Sequence, residues 1–382
     1  MRPLLVISSL SSGGAERVAS RMANYWAGKG WCISVVTLAS TRSDFYNLEP
    51  GVNRIALDVT GEPSSLAETM RNILTRVKAL RASFRSIKPQ AIISFVDRTN
   101  ILTILGALGL RIPVIVCERT DPRHYSIGRV WAGLRRLLYP LASAVVVQSE
   151  SVKEWARAFL LQRKLFVIPN HVVVDGEYAE EPISWPCPFV VAVGRLEYCK
   201  GFDSLIRAFG RAVQGTDWSL VILGEGPEGP RLRAMAGALG VEKRLHFAGT
   251  RRDVLAVMKR AGLFVLSSRY EGFPNALLEA MACGLPVISF DCPSGPSDII
   301  RHGVDGILVP PGDVDAIAKA MSRLMTDEGE RQRLGVCALE VAQRFSAERV
   351  MGMWEELLQR VTHGDGTRRR QPNSNRAPTV CD

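Results

Sequence analysis

The stretch Leu263-Phe-Val-Leu266-Ser-Ser-Arg269-Tyr-Glu271-Gly-Phe-Pro-Asn-Ala-Leu-Leu-Glu279-Ala-Met-Ala-Cys-Gly284-Leu-Pro286-Val287-Ile-Ser-Phe290 decides the fold. Two short apolar runs, Leu263 to Leu266 and Val287 to Phe290, flank a loop and a helical segment, which is the order of a βαβ unit. Glu271 and Glu279 stand eight residues apart and frame the helix N-terminus. Gly272, Phe273, Pro274 and Asn275 can turn backbone amides and the positive end of the helix dipole toward a phosphate. Glu279, about a turn in, can accept hydrogen bonds from ribose hydroxyls, and Glu271 can hold hydroxyls of a group being transferred. A capped helix with an exposed Glu accounts for the same residues without a ligand, so both readings stay open here.

The same grammar runs outward in both directions. Leu4 to Ser8, Ile33 to Leu38, Ile92 to Phe95, Val114 to Cys117 and Ala144 to Val147 are strand-like, each followed by an amphipathic segment. After Ile168 the periodicity breaks at Pro169-Asn170-His171 and an acidic stretch, Asp175 to Pro182, which places an interdomain linker there. A second series follows: Phe189 to Val193, Leu220 to Leu223, Leu245 to Ala248, Leu263 to Leu266, Val287 to Phe290 and Ile307 to Val309. The expected architecture is α/β, with two doubly wound parallel sheets. The expected domains span 1–182 and 183–345, with a helix over 346–362 crossing back to the first. Residues 363–382, rich in Gly, Pro, Asn and Arg, read as a disordered tail.

Of the 382 residues, 47% are hydrophobic and 23% charged, a globular balance that excludes a disordered or collagen-like chain. The net charge of +10 is uneven. Residues 1–182 hold 23 basic and 15 acidic residues, residues 183–362 hold 21 of each, and the tail holds four Arg against two Asp. The first half therefore faces an anionic partner: lipid head groups, diphosphates or nucleic acid. The eight cysteines form no CxxC pair and no ligand spacing with the five histidines, which implies reduced thiols in a cytosolic protein and no metal. Uncharged stretches reach thirteen residues, short of the roughly 18–20 a spanning helix needs. Pro3 to Ser9 reads as a first strand and not as a secretion signal.

Three further loops follow strands, where open α/β sheets bind ligands. Ser11 to Arg17 holds Gly13-Gly14 ahead of a helix, serving either an anion or a tight turn. Gly194-Arg195 and Lys200-Gly201 put two cations five residues apart, a pairing suited to a diphosphate or to solvent. Gly224-Glu225-Gly226 lacks a full GxGxxG and reads as a turn near a ligand.

Taken in this order, with Glu271-x7-Glu279 and Gly284-Leu-Pro286, these loops resemble the retaining family 4 (group 1) glycosyltransferases of the GT-B fold, over residues 1 to about 360. The resemblance implies two Rossmann-like domains facing a cleft, with the acceptor in the first and a nucleotide sugar in the second. It implies that Arg195 and Lys200 bind the donor diphosphate, Glu279 the ribose and Glu271 the sugar, and that no metal or other cofactor is needed. The glycines at 13, 14, 194, 224, 226 and 272, with Phe273, Pro274 and Asn275, would line the donor. Glu118-Arg-Thr-Asp121-Pro122 and Asp291-Cys-Pro-Ser-Gly-Pro-Ser-Asp298 are similar to segments of transferases that extend polyprenyl-diphosphate-linked glycans, including N-acetylgalactosaminyl and exopolysaccharide enzymes. Many members carry a His in a first-domain loop near the acceptor. The corresponding loop here is Cys117 to Arg123, and Glu118, Arg119 and Asp121 stand as its acceptor-side residues. Asn170-His171-Val172 replaces a commoner Asn-Pro-Val.

Two motifs are set aside. Asp313-Val-Asp315 opens a helix, where acids favour the dipole, so it reads as capping and not as a metal site. The Cys117-x5-Arg123 spacing suggests a phosphatase loop, but Glu118 and Asp121 would repel phosphate. Residues 71–88 carry six cations and no acid, and Arg129 to Tyr139 is amphipathic with Trp131, so an anionic membrane surface competes with a solvated face. No nucleic-acid module is present. The sequence thus implies a peripheral cytoplasmic enzyme on the inner face of the cell membrane. It would move a hexose or N-acetylhexosamine from a nucleotide sugar, with UDP expected over GDP, to a lipid-linked glycan in surface polysaccharide assembly. A sugar-nucleotide epimerase and a non-catalytic nucleotide-binding scaffold remain as rivals.

Overall fold

The structure, a computed structural model, describes residues 1–61, 65–172 and 185–363. The linker placed over Asp175 to Pro182 and the tail beyond His363 lie outside the described residues. The first sheet comprises β1 (Pro3–Ile7), β2 (Ser34–Thr37), β3 (Asn53–Ala56), β4 (Ala91–Phe95), β5 (Val114–Cys117), β6 (Ala144–Val147) and β7 (Leu165–Val167). The second comprises β8 (Phe189–Val193), β9 (Ser219–Leu223), β10 (Leu245–Phe247), β11 (Leu263–Leu266), β12 (Val287–Phe290) and β13 (Ile307–Val309). Helices cover both faces of each sheet, so the central strands read as unbroken apolar runs. The sequence pattern misses β3 and β7. Both are short edge strands with partly exposed side chains, and the burial that makes the others legible is absent from them.

All pairings are parallel. The strand orders are β3-β2-β1-β4-β5-β6-β7 and β10-β9-β8-β11-β12-β13. Each order reverses beside the first strand of its sheet, at β1/β4 and at β8/β11. A crevice opens at the carboxyl ends of strands at such a reversal. The Gly13-Gly14 loop leaves β1, and the other three loops leave β8, β9 and β11, so sheet topology gathers those three and domain packing sets the first against them.

The helix Ala347–His363 returns to the first sheet. Val350, Met351, Trp354, Leu357 and Leu358 are buried in one core with Leu5, Ile7, Trp26 and Ile93, and Trp26 donates its indole N–H to Glu355 at 3.3 Å. Asp313 caps the helix Val314–Thr326 by accepting from the Ala316 amide at 2.9 Å, and Asp315 pairs with Arg211. Cys117 is buried, and burial pushes its thiol up to about 12. Among the described residues every cysteine is unpaired, no group of His, Cys, Asp and Glu could hold a metal ion, and no helix is long and apolar enough to cross a membrane.

Candidate active site

Backbone contact builds the second-domain side. Gly224, at φ +134°, lies so close to Gly194 that a Cβ on it would sit 2.0 Å from the Gly194 carbonyl oxygen, so only glycine lets these two loops meet. On this platform Lys200 Nζ donates to Glu271 Oε1 at 2.7 Å, and Ser268 Oγ donates to the same oxygen at 2.6 Å. Burial opposes the Lys200 charge, but the Glu271 carboxylate beside it outweighs burial and holds the ammonium above its ordinary value. Arg195 is exposed and pairs with Glu197 at 2.8 Å. Both cations therefore stand on carboxylates they can trade for a diphosphate.

Glu279 lies in the first turns of the helix Asn275–Ala282 and is buried. Its Oε1 takes Arg17 and, at 3.3 Å, Arg21, both from the first-domain helix Gly14–Gly28. Its Oε2 has no hydrogen-bond partner among the described residues. A buried carboxylate oxygen left open is costly without a donor, and a ribose hydroxyl is one that fits.

On the first-domain side the centre is Asn170, which the sequence reading noted only as part of Asn-His-Val. Its Oδ1 accepts from Arg119 Nη1 at 2.7 Å and Gln148 Nε2 at 2.6 Å, and its Nδ2 donates to Asn275 Oδ1 at 2.6 Å. Asn275 donates in turn to the Gly14 carbonyl at 3.3 Å. Gly272 presses on the same hub, since a Cβ there would meet the Arg119 carbonyl oxygen at 2.1 Å. The Arg119 guanidinium stacks 4.7 Å from the Phe95 ring centroid. His171 is buried next to this hub; burial first, then the Arg21 and Arg119 charges, push its imidazole down to about 4.

Two cavities of about 450 Å³ and about 480 Å³ occupy the cleft. The first is lined by Arg21, Tyr46, Gly224, Gly226, Thr250 and Arg252, and the second by Gly14, Asp97, Lys200, Glu271, Phe273 and Asn275. Arg17, Gly194 and Arg195 border both. The structure thus brings Gly14, Gly194, Arg195, Lys200, Glu271 and the 272–275 loop to one cleft, with Gly13 on the same rim.

It does not bring Glu118 or Asp121 there. Glu118 is buried behind the sheet, accepting from Tyr139 at 2.6 Å and paired with Arg135 at 3.2 Å, and burial raises its carboxyl to about 7. Asp121 accepts from Arg123 and, across the domains, from Ser294 Oγ at 2.8 Å. Both acids are engaged in holding the structure, and of the three residues placed on the acceptor side only Arg119 lines the cleft.

The residues missed are Arg17, Arg21, Asp97, Tyr125 and Tyr270. Arg17 and Arg21, four apart on one helix, carried a readable signal, namely two cations on one face of the helix behind Gly13-Gly14. Asp97 carried none. It is buried beside Val96, whose φ of +72° is strained for a β-branched residue.

Comparison with known proteins agrees with this geometry. Residues 13–171 match the model of the glycosyl transferase 4-like domain, and residues 179–339 match that of glycosyl transferases group 1. An exopolysaccharide phosphotransferase of Streptomyces coelicolor is 30% identical over 95% of this chain, which spans 41% of that protein. An undecaprenyl-diphosphate-glycan α-1,4-N-acetyl-D-galactosaminyltransferase of Campylobacter jejuni is 29% identical over 94% of this chain and 99% of its own. Sucrose-phosphate synthase from Thermosynechococcus elongatus superposes with a TM-score of 0.80 at 21% identity, over 95% of this chain and 100% of that one, which shows the shared GT-B fold. With two facing parallel sheets, a charged cleft at both strand reversals and family models over both halves, the chain belongs to the group 1 glycosyltransferases.

Proposed function

We propose that the protein transfers a hexose or N-acetylhexosamine from UDP to a lipid-linked glycan, with retention of configuration and without a metal. The observation that carries this reading is the Lys200–Glu271 pair, which lines the second cavity beside Gly194 and Arg195, two residues that border both cavities. The nucleoside occupies the first cavity, with its ribose directed toward Glu279, which itself lines neither cavity and sits behind Arg17 and Arg21. The diphosphate lies against Gly194, Arg195 and Lys200, and the sugar lies against Glu271. A UDP-bound neighbour of the same fold, Anabaena HepE crystallised with UDP and glucose, superposes with a TM-score of 0.76 at 20% identity over 94% of this chain and 99% of its own.

In the reaction the C1–O bond to the diphosphate breaks and its electron pair leaves with the phosphate. The acceptor oxygen bonds to C1 on the same face and its proton passes to the departing phosphate oxygen. Arg195, Lys200 and the amides near Asn275 lower the barrier by stabilising that leaving charge. Asp97, a buried acid in the second cavity with no ion pair among the described residues, holds the acceptor hydroxyl.

The acceptor arrives on a cytoplasmic membrane face touched by the helix Arg129–Leu138. Val130 and Leu137 are 75% and 69% exposed there, beside Arg129 and Arg136. The stripe over 71–88 contributes less, because Arg76 and Arg81 donate to backbone carbonyls of the first domain. Flotation with phosphatidylglycerol vesicles checks this face, which is refuted if Val130→Ser with Leu137→Ser floats like the parent.

Calorimetric titration of UDP and GDP, with chelator present and beside Glu279→Ala, tests the donor assignment. UDP binds and the variant weakens it. Binding of neither nucleotide, or binding that needs a metal, overturns the assignment.

A further inference from the structure

Gly194 and Arg195 border both cavities, which orders the cleft: nucleoside in the first, diphosphate at the junction, transferred sugar at Glu271. Beyond Glu271 the second cavity continues along residues the first does not share, and besides Phe273 these include two tyrosines. Tyr125 comes from the first domain and Tyr270 from the second. The His124 and Tyr270 rings stack across the cleft, with centroids 6.1 Å apart and planes 19° from parallel. The neighbouring loop is tied to this side where the Arg269 amide donates to the Cys199 carbonyl at 2.7 Å; its Tyr198 lines neither cavity and has the Arg269 guanidinium over its ring at 4.1 Å. Burial, then the Cys199, Glu197, Tyr125 and Tyr198 groups, push the Tyr270 phenol above its ordinary value.

This rim is held from both sides. The Tyr125 amide donates to the Asp121 carbonyl at 3.1 Å, and Asp121 is fixed by Arg123 and by Ser294 of the opposite domain. Arg269 anchors the other side by donating to the Tyr198 carbonyl at 2.6 Å and to Asp203 at 2.8 Å. Tyr125 is nevertheless 45% exposed, so packing the fold does not account for its ring. Rigid, half-exposed tyrosines at the mouth of a reaction cleft present an apolar face and a polar edge together. A pyranose ring presents the same combination, a C–H face and hydroxyl edges.

We propose that Tyr125 and Tyr270 form a stacking rim that takes the terminal sugar ring of the acceptor. The proposal rests on the glycosyl-transfer reading and adds to it where the acceptor sits and by which chemistry. The rim crosses the domain boundary, so the acceptor ring is gripped only when the two halves face each other as they do here.

Saturation-transfer NMR tests it with the methyl α-glycosides of glucose, galactose and their N-acetylated forms, each with and without UDP. At least one glycoside receives saturation on its C–H face. Tyr125→Ala weakens that binding about tenfold, the scale of one lost aromatic contact, while Tyr125→Phe stays within about threefold. UDP affinity is unchanged in both variants. Equal saturation in Tyr125→Ala, or saturation of none of the glycosides by the folded parent, overturns the rim. Failure of UDP to bind while a glycoside still binds through Tyr125 overturns the donor reading and leaves the rim standing.

Discussion

The two halves share one strand order, yet their crevices are made of different material. In the second domain the walls are backbone: Gly224 lies against Gly194, and each cation already sits on a carboxylate. In the first, side chains just beyond the strand ends do the work: Asp97 behind a strained Val96, Arg119 over Phe95, and Tyr125 at the mouth. Charge follows the same division, +8 in residues 1–182 against zero in 183–362. Backbone walls suit a ligand of fixed shape, such as a nucleoside diphosphate. Loop side chains suit one that varies between relatives.

The comparison breaks first if the halves are independent units. Trp354 belongs to the last helix of the chain but is buried in the first-domain core. Trp354→Ala should cost about 3–5 kcal/mol, as large-to-small core changes do. Urea unfolding followed by first-domain fluorescence should show it, while a loss under about 1 kcal/mol would mean the helix is an ornament. Next is the second-domain charge platform. Lys200→Ala should lower kcat/KM by about 10²–10³ with the fold intact, the usual loss for one preorganised charge partner. Steady-state rates on a UDP-sugar check it, and a near-normal rate would remove Lys200 from the chemistry.

At the junction of the halves, His171 sets a pH dependence. Its imidazole falls from 6.5 to about 4 in the folded protein, so the unfolded chain binds a proton first as pH drops. Stability from this group is whole above pH 6.5 and is lost progressively down to about pH 4. That fall corresponds to about 3 kcal/mol of stability. Chemical unfolding between pH 7.5 and 4.5 should show a shallower loss in His171→Phe than in the parent; parallel curves would exclude His171 as the source.

The same contrast explains what could be read in advance. Every central strand was legible because both faces are buried, and the glycine loops of the second domain were legible because close backbone approach leaves glycines at fixed places, as at Gly194 and Gly224. β3 and β7 were not, since their burial is partial. The acceptor side failed for a different reason. Glu118 and Asp121 look like site acids in a row of polar residues, and only three-dimensional packing reveals that Tyr139, Arg135 and Ser294 occupy them. Asn170 bridges residues 119, 148 and 275, a convergence that no local pattern encodes.

The smallest expected effect is also the sharpest test of the division. Asp97 opens the helix Asp97–Ala107, where its charge favours the dipole, and its Oδ1 accepts from the Arg98 amide. Helix capping would explain an exposed acid, but this one is buried in the cleft at the carboxyl end of β4, next to a strained residue. Asn keeps the oxygen that accepts from the Arg98 amide and removes the charge. If Asp97 serves only the helix start, Asp97→Asn leaves both substrates unaffected and costs about a few tenths of a kcal/mol of stability. If it orients the acceptor hydroxyl, acceptor KM rises about tenfold, on the scale of one charge-assisted hydrogen bond, while UDP affinity stays put. That split between substrates is what a first domain built for the acceptor and a second built for the donor requires. An equal loss on both would mean that the cleft works as a single site.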